Sequence, residues 1–557
     1  SAVDTYSELQ ILANIVARLF ITAAGGNPTP PITAAELALI GINGVTSTNL
    51  SSVLSTIAAT TDNGSGIDDL AKLQGVVDTG IANARSASQA IIANYDGTNT
   101  VPTLADFVNI GVTGVISGQI AAINTFIAVR PAVDTDSQAE VQAIVDAYAK
   151  LVSSANGLAD GGLPLSAIEF ATLGLSAVDL SAEVNLLNDL IDVRPGTAVD
   201  SYAEVAALAS IVTRFIGEAA GVASSPALTP ADFVALGISG VTAENLAEVL
   251  IAIRASADDG SEIDTLTEVR TLVDTAVALS RQNAIDTISR YDGTSATTTP
   301  TLADFANAGV TGVTNGNLVS INSAFAVIGI ANSDATEEIQ GLVSGYVTIL
   351  LGADGQRDSD VSLSSSDYVA MNLARVDTSG KADLLNQIFD GLLIAKVDTY
   401  SELQSASDVV ADIFLTATGA QPQSELTVAR LEAIGLSGIT SGNIALLVAA
   451  IANTSDDTLG VDSFAEVQAV VNQVRATQAA ALAVISAYNG TNTLPSVNTL
   501  QSAGIIGVDY SNIGIINQYL ATMSAESTDS IAEVQALVDA LSKLMICADG
   551  TANNNCS

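Results

Sequence analysis

Three short stretches carry the side chains of this chain best suited to chemistry: DNGSGIDD from Asp62, DDGSEID from Asp258 and DDTLGVD from Asp456. Each sets two aspartates six residues apart around a glycine: Asp62 with Asp68, Asp258 with Asp264, and Asp456 with Asp462. Clustered carboxylates on a glycine-containing loop are hard oxygen donors, the kind that Ca²⁺ selects. The spacing is neither that of an EF-hand nor that of a glycine-rich nonapeptide repeat. The same residues also form ordinary turns, and an aspartate just ahead of a helix is favoured by the helix dipole. Calcium ligation and helix punctuation are therefore the two readings of these loops.

Composition closes off most other chemistry. The chain has no histidine, which excludes imidazole metal sites and histidine-based triads. It has no Walker A loop, no G-x-G-x-x-G and no G-x-S-x-G. Paired carboxylates could act as acid and base, yet nothing marks out one pair among 60 Asp and Glu. The sequence reads as that of a non-enzyme, with no cofactor beyond calcium ions. Against 18 Lys and Arg, those acids give a formal charge of −42. Such a surface repels nucleic acid and anionic lipid and attracts divalent cations. The longest apolar run, IALLVAAIA from Ile444, is about half the length needed to cross a bilayer and reads as a buried helix, so no membrane-spanning segment is expected. Cys547 and Cys556, the two cysteines, close a small disulfide loop in an oxidising compartment or stand as free thiols on the tail. The absence of an initiator methionine before Ser1 points to a processed product or a piece of something longer.

The aspartate loops sit in front of helices that recur. VDTYSELQ at Val3 returns as VDSYAEVA at Val199 and again as VDTYSELQ at Val397. Within it Thr5 and Glu8 form a capping box, each satisfying a backbone N–H at the helix start. The same device stands at Ser137–Glu140, Ser201–Glu204, Thr265–Glu268, Thr399–Glu402, Ser463–Glu466 and Ser530–Glu533, and two aligned sites, Asp69–Lys72 and Ala335–Glu338, lack it. The nine starts, from Thr5 to Ser530, fall at a near-constant interval, and every third interval is slightly longer than the two before it. An apolar pattern of helical period follows each, ending near a glycine suited to a left-handed cap. A second recurring stretch, TLADFVNIGVTGV from Thr103 and TLADFANAGVTGV from Thr301, predicts a short helix and a glycine turn. In one copy Asn372 takes the glycine's place, and Phe107, Phe233 and Phe305 recur as core plugs.

The fold expected is all-α: a tandem array of about eight three-helix units of ~65 residues behind a leading helix, with three units making a super-repeat. The boundaries are residues 1–26 for the leading helix, then 27–97, 98–157, 158–221, 222–293, 294–355, 356–419, 420–490 and 491–557. Units this small have marginal cores alone and are expected to lean on their neighbours.

PTLADFANAGVTGVT from Pro300 and DSIAEVQALVDAL from Asp529 resemble tandem repeats of very large bacterial cell-surface proteins, of the adhesin, surface-layer and extracellular-matrix kinds. The resemblance implies secretion, a cell-surface or extracellular location and a structural task; it brings no catalytic residue. Two roles are then expected. One is a self-associating subunit of a filament, sheath or surface layer, with the leading helix completed by a neighbour's last unit. The other is a stalk segment of a giant adhesin, which does not self-associate.

Overall fold

The computed structural model describes residues 5–60, 64–256, 260–329, 333–454 and 460–548, and among them it is all-helical, with 25 α-helices and no strand. The first, α1, spans Tyr6–Ala23. There follow α2 (Ala34–Leu39), α3 (Leu50–Ala58) and α4 (Leu70–Ala93), then α5 (Leu104–Ile110), α6 (Ile120–Ile127) and α7 (Gln138–Ser154). Next come α8 (Ala167–Thr172), α9 (Ser181–Asp192), α10 (Tyr202–Ala219), α11 (Pro230–Ala235), α12 (Leu246–Arg254) and α13 (Leu266–Ser289). The rest are α14 (Leu302–Asn307), α15 (Leu318–Ile328), α16 (Thr336–Gly352), α17 (Ser365–Ala370), α18 (Ser379–Asp390), α19 (Tyr400–Ala417), α20 (Val428–Ala433), α21 (Ile444–Ala452), α22 (Phe464–Ser486), α23 (Val497–Ser502), α24 (Ile513–Leu520) and α25 (Ile531–Ala548). After α1 the lengths run short, medium, long throughout. The long helices α4, α7 and α10 have 24, 17 and 18 residues, and α13, α16 and α19 have 24, 17 and 18 again.

The chain divides into two compact units, Ser1–Ala278 and Leu279–Ser557, with the boundary inside α13. In the first unit one apolar cluster runs from Ile15 to Val77 and a larger one from Ile92 to Ala276. In the second the large cluster runs from Ala284 to Val474 and a smaller one from Ala481 to Leu541. Phe107, Phe233 and Phe305 are all buried in these clusters, as plugs. The run IALLVAAIA departs from expectation. In α21 only Leu447 and Ile451 are buried, while Ala445, Ala449 and Ala452 face water. Its exposed positions are all alanine, a strong helix former that exposes little apolar area, while Ile444, Leu446 and Val448 are half-buried.

The local signals act as read. Thr5 Oγ1 accepts from Glu8 N at 3.2 Å, and Glu8 Oε2 accepts from Thr5 N at 3.0 Å. Equivalent boxes open α7, α10, α19 and α22. At α4 Asp69 caps with its own carboxylate, and at α16 Ala335 makes no side-chain cap. Gly111 closes α5 at φ +87°, a conformation that costs an L-residue its Cβ clearance, and Asn372 takes φ +59° where the glycine is missing.

Three recurring devices, two tertiary and one local, hold the helices in place. In the first, a glutamine of a long helix pairs its side-chain amide with both backbone groups of a turn that precedes the helix. Gln142 Oε1 accepts from Thr113 N at 2.9 Å while its Nε2 donates to Thr113 O at 3.2 Å. Gln74 does the same to Asn43, Gln340 to Thr311, Gln468 to Ser437 and Gln535 to Ile506. In the second, buried Asn49 starts α3 by accepting from Thr46 N at 2.8 Å and donating to Gly44 O at 3.0 Å. Asn245, Asn317, Asn443 and Asn512 repeat that clamp.

The third is an ionic clasp between a long helix and the short helix after it. Arg214 of α10 pairs with Asp232 of α11 at 2.6 Å and also donates to Pro226 O and Ala227 O. Arg18 and Glu36, the counterparts of this pair in α1 and α2, make the same clasp over Pro30 O and Pro31 O. In α19 and α20, the next counterparts along the chain, the charges have changed places. Asp412 of α19 pairs with Arg430 of α20 at 2.7 Å, and Arg430 donates to Ser424 O and Glu425 O, the counterparts of the Pro226 and Ala227 carbonyls. The guanidinium thus meets the same pair of carbonyls whichever helix carries it. Asp412 is fully buried and takes a second arginine, Arg375, at 2.7 Å, with Gln423 N at 3.0 Å. Burial pushes its carboxyl up, but Arg375 and Arg430 together outweigh this and hold it below the usual range.

Candidate functional site

The aspartate loops place their described members in three different settings. Asp68 Oδ1 accepts from Lys72 Nζ at 2.6 Å on an exposed surface. Asp264 Oδ2 accepts from Asn185 Nδ2 at 3.0 Å. Asp462 hydrogen-bonds Glu466, which raises its carboxyl above the ordinary range and lowers that of Glu466. Its loop borders a cavity of about 350 Å³ lined also by Asp383, Asn386, Asp390 and Ser359. Asp62, Asp258 and Asp456 lie outside the described residues, and so does Cys556; the side chain of Cys547, at the end of α25, does too. Among the described residues no group of three or more carboxylate, thiol or imidazole side chains converges as a metal site.

Beneath two of these loops lies a buried acid that the sequence did not single out. Asp390 ends α18 and accepts from Ser359 N at 2.8 Å, Asp360 N at 3.1 Å and Val361 N at 3.2 Å, a nest of backbone donors. Asp192 holds the same place at the end of α9 but takes only Gly161 N, at 2.9 Å to Oδ2. Its Oδ1 is buried without a hydrogen-bond partner at a cavity of about 180 Å³ lined by Ser154, Asn185, Asn188, Asp189 and Thr265.

The largest anomaly is on α1. Leu9, Ala13, Val16 and Phe20 form one stripe at helical spacing and are exposed, Leu9 by 58 % and Val16 by 41 %. In α10 the corresponding residues Val205, Ala209, Val212 and Ile216 are buried, and so are Leu403, Ser407, Val410 and Phe414 in α19. What covers them differs from what α1 has. Helices α6 and α9 pack on α10, and α15 and α18 pack on α19, while α1 touches α2 and α3. The signal was present in the sequence as three apolar stripes in one register, but exposure separates them only in three dimensions.

No protein-family model, no curated protein and no solved structure matches the chain. No described helix is long and apolar enough to cross a membrane.

Proposed function

We propose that the chain is a tandem array of eight three-helix units behind a leading helix, and that it serves as a structural subunit of an extracellular, cell-surface assembly. Self-association of copies builds the filament, sheath or layer. The observation that carries this reading is the exposed stripe Leu9, Ala13, Val16 and Phe20, whose counterparts in α10 and α19 are buried. A contiguous apolar face of that kind marks an interaction surface. The side chains that elsewhere do chemistry are spent here on position, in capping boxes, amide clips and ionic clasps. The extracellular location rests on the resemblance of the repeats.

Charge sets the conditions. A chain of −42 repels its copies, so association requires screening salt or bridging divalent ions. Calcium at the aspartate loops, with Asp68, Asp264 and Asp462 as described donors, belongs to the same reading. Negative-stain electron microscopy in millimolar Ca²⁺ and in EDTA tests it. Filaments or sheets that dissolve in EDTA are the expected result. Isolated particles in both buffers would overturn self-association and favour the adhesin stalk.

A further inference from the structure

We propose that the cavity at the end of α9 is a calcium site, with Asp192 and Asp189 as its carboxylate ligands and Ser154 and Asn185 as neutral oxygen donors. The inference is independent of self-association and distinct from calcium at the aspartate loops. It puts the ion inside one molecule, where the end of α7, the end of α9 and Thr265 at the start of α13 line one space.

The chain builds this corner twice, and the two versions differ in charge. Asn188 of α9 pairs its amide with both backbone groups of Leu165, and Asn386 of α18 does the same to Leu363. The two corners therefore correspond residue for residue, Asp192 with Asp390 and Ala159 with Arg357. Asp390 is fully provided for. It accepts from three backbone N–H groups, and Arg357 lies so close to the next residue, Gly391, that a Cβ there would overlap the guanidinium. The Asp390 charge in turn favours the charged form of Arg357.

Asp192 has neither provision. It accepts from one backbone N–H, and its Oδ1 has no partner although the residue is only 6 % exposed. Ala159 brings no charge, and Val193 stands where Gly391 makes room, so the seat of the guanidinium is closed. Between Lys150 and Arg214 the one basic residue is Arg194, and its guanidinium donates to Leu190 O and Ala235 O. Lys150 is paired with Glu169 at 2.9 Å. A buried carboxylate oxygen without a partner is costly, and buried charges are met by a counter-charge or by a metal.

The surroundings suit a metal. A Cβ added at Gly162 would lie 2.6 Å from Ser154 Oγ and 2.8 Å from Asp192 Oδ1, so both oxygens front one space that this glycine keeps open. Asp189 spends Oδ2 on Leu266 N at 2.9 Å, which leaves Oδ1 for an ion. Asn185 commits its amide nitrogen to Asp264, at 3.0 Å, and keeps its oxygen. Two carboxylates with neutral oxygens and water fit Ca²⁺, which takes about six to eight oxygen ligands in adaptable geometry, better than Mg²⁺, which demands a tight octahedron. The cavity, about 180 Å³, has room for the ion and several waters. The ion supplies at Asp192 the positive charge that Arg357 brings to Asp390.

The test uses the full chain, stripped of metal with EDTA and diluted until copies stay apart. Hydrogen exchange is read along the chain before and after Ca²⁺ is added. The expected result is new protection over residues 158–165 and 189–193, lost in Asp192→Asn, weakened in Asp189→Asn and kept in Asp390→Asn. Circular dichroism in EDTA establishes that each variant is helical before calcium is added. Protection that survives Asp192→Asn, or that falls on the aspartate loops alone, overturns this site and leaves calcium at those loops standing. Exchange that Ca²⁺ leaves unchanged everywhere overturns both, whereas filaments that fail to form bear only on self-association.

Discussion

The interchange of charges between Arg214–Asp232 and Asp412–Arg430 makes a quantitative prediction. If the two backbone carbonyls fix where the guanidinium sits, the clasp at 214 and 232 tolerates inversion as a pair. Arg214→Asp alone sets two carboxylates against each other, with both side chains more than four-fifths buried, and removes the donor from Pro226 O and Ala227 O. Asp232→Arg alone opposes two guanidinium groups. Each single change is expected to cost about 3 kcal/mol, as for breaking a largely buried ion pair. The double change restores both the pair and the donor, as Asp412 and Arg430 do, and is expected to cost about 1 kcal/mol, the two single costs being far from additive. The cycle would then show a coupling of about 5 kcal/mol, within the range of close charge pairs. Hydrogen exchange of amides across α10 and α11 reads the local free energy directly, which suits a chain of many helices better than one melting curve. The inversion at 412 and 430 is the internal control. It should not recover, because an arginine at 412 would face Arg375. A double variant at 214 and 232 no more stable than its worse parent would refute the idea that the carbonyls set the clasp.

Three further outcomes follow from the same geometry. Gln142→Glu removes the donor to Thr113 O and aims a carboxylate at it, costing about 1–3 kcal/mol near neutral pH. Protonation restores a donor, so faster exchange around residues 111–115 should be relieved as pH falls. Asp390→Asn loses a charged acceptor serving three N–H groups and should cost about 1–3 kcal/mol, whereas Asp192→Asn, with one such bond, should cost less; paired thermal melts compare them. The clasp carboxyls of Glu36, Asp232 and Asp412 all lie below their ordinary range. Arg18 lowers Glu36 directly; for Asp232 and Asp412 the arginines outweigh an upward push from burial. A carboxyl lowered by folding stabilises the fold fully above the unfolded range, and this is lost as pH falls through the folded value. The melting temperature should therefore be level down to about pH 5 and fall steeply below about pH 4, and a chain whose melting temperature holds to about pH 2 would refute it.

What could be read from the sequence was the local part. A capping box spans three residues, and a left-handed stop needs one glycine or asparagine, so Thr5–Glu8 and Asn372 announced themselves in one dimension. The clips and clasps could not be read that way. Gln142 is an ordinary helical glutamine until Thr113, far back along the chain, is placed opposite it. Asp412 looked like one more acid among 60, although its counterparts Arg18 and Arg214 are both arginine. The swap lies in the sequence only as a correspondence between repeats, with Arg18, Arg214 and Asp412 at one position and Glu36, Asp232 and Arg430 at the other. The aspartate loops stood out by composition, and half of each pair lies outside the described residues. The buried acids Asp192 and Asp390 beneath them were hidden because burial, not residue type, is what makes them unusual.

The glutamine clips have a consequence for how such a chain behaves when crowded. Each one reproduces with a single side chain the two-bond pairing of an antiparallel ladder, yet it uses up the donor and acceptor on both sides. A true sheet leaves a row of unpaired groups along its edge, an open template for any neighbouring chain to extend. Here the turn is paired, and among the described residues no strand presents such an edge. A turn closed in this way offers no row of unpaired groups to a second copy, so contact there is left to side chains.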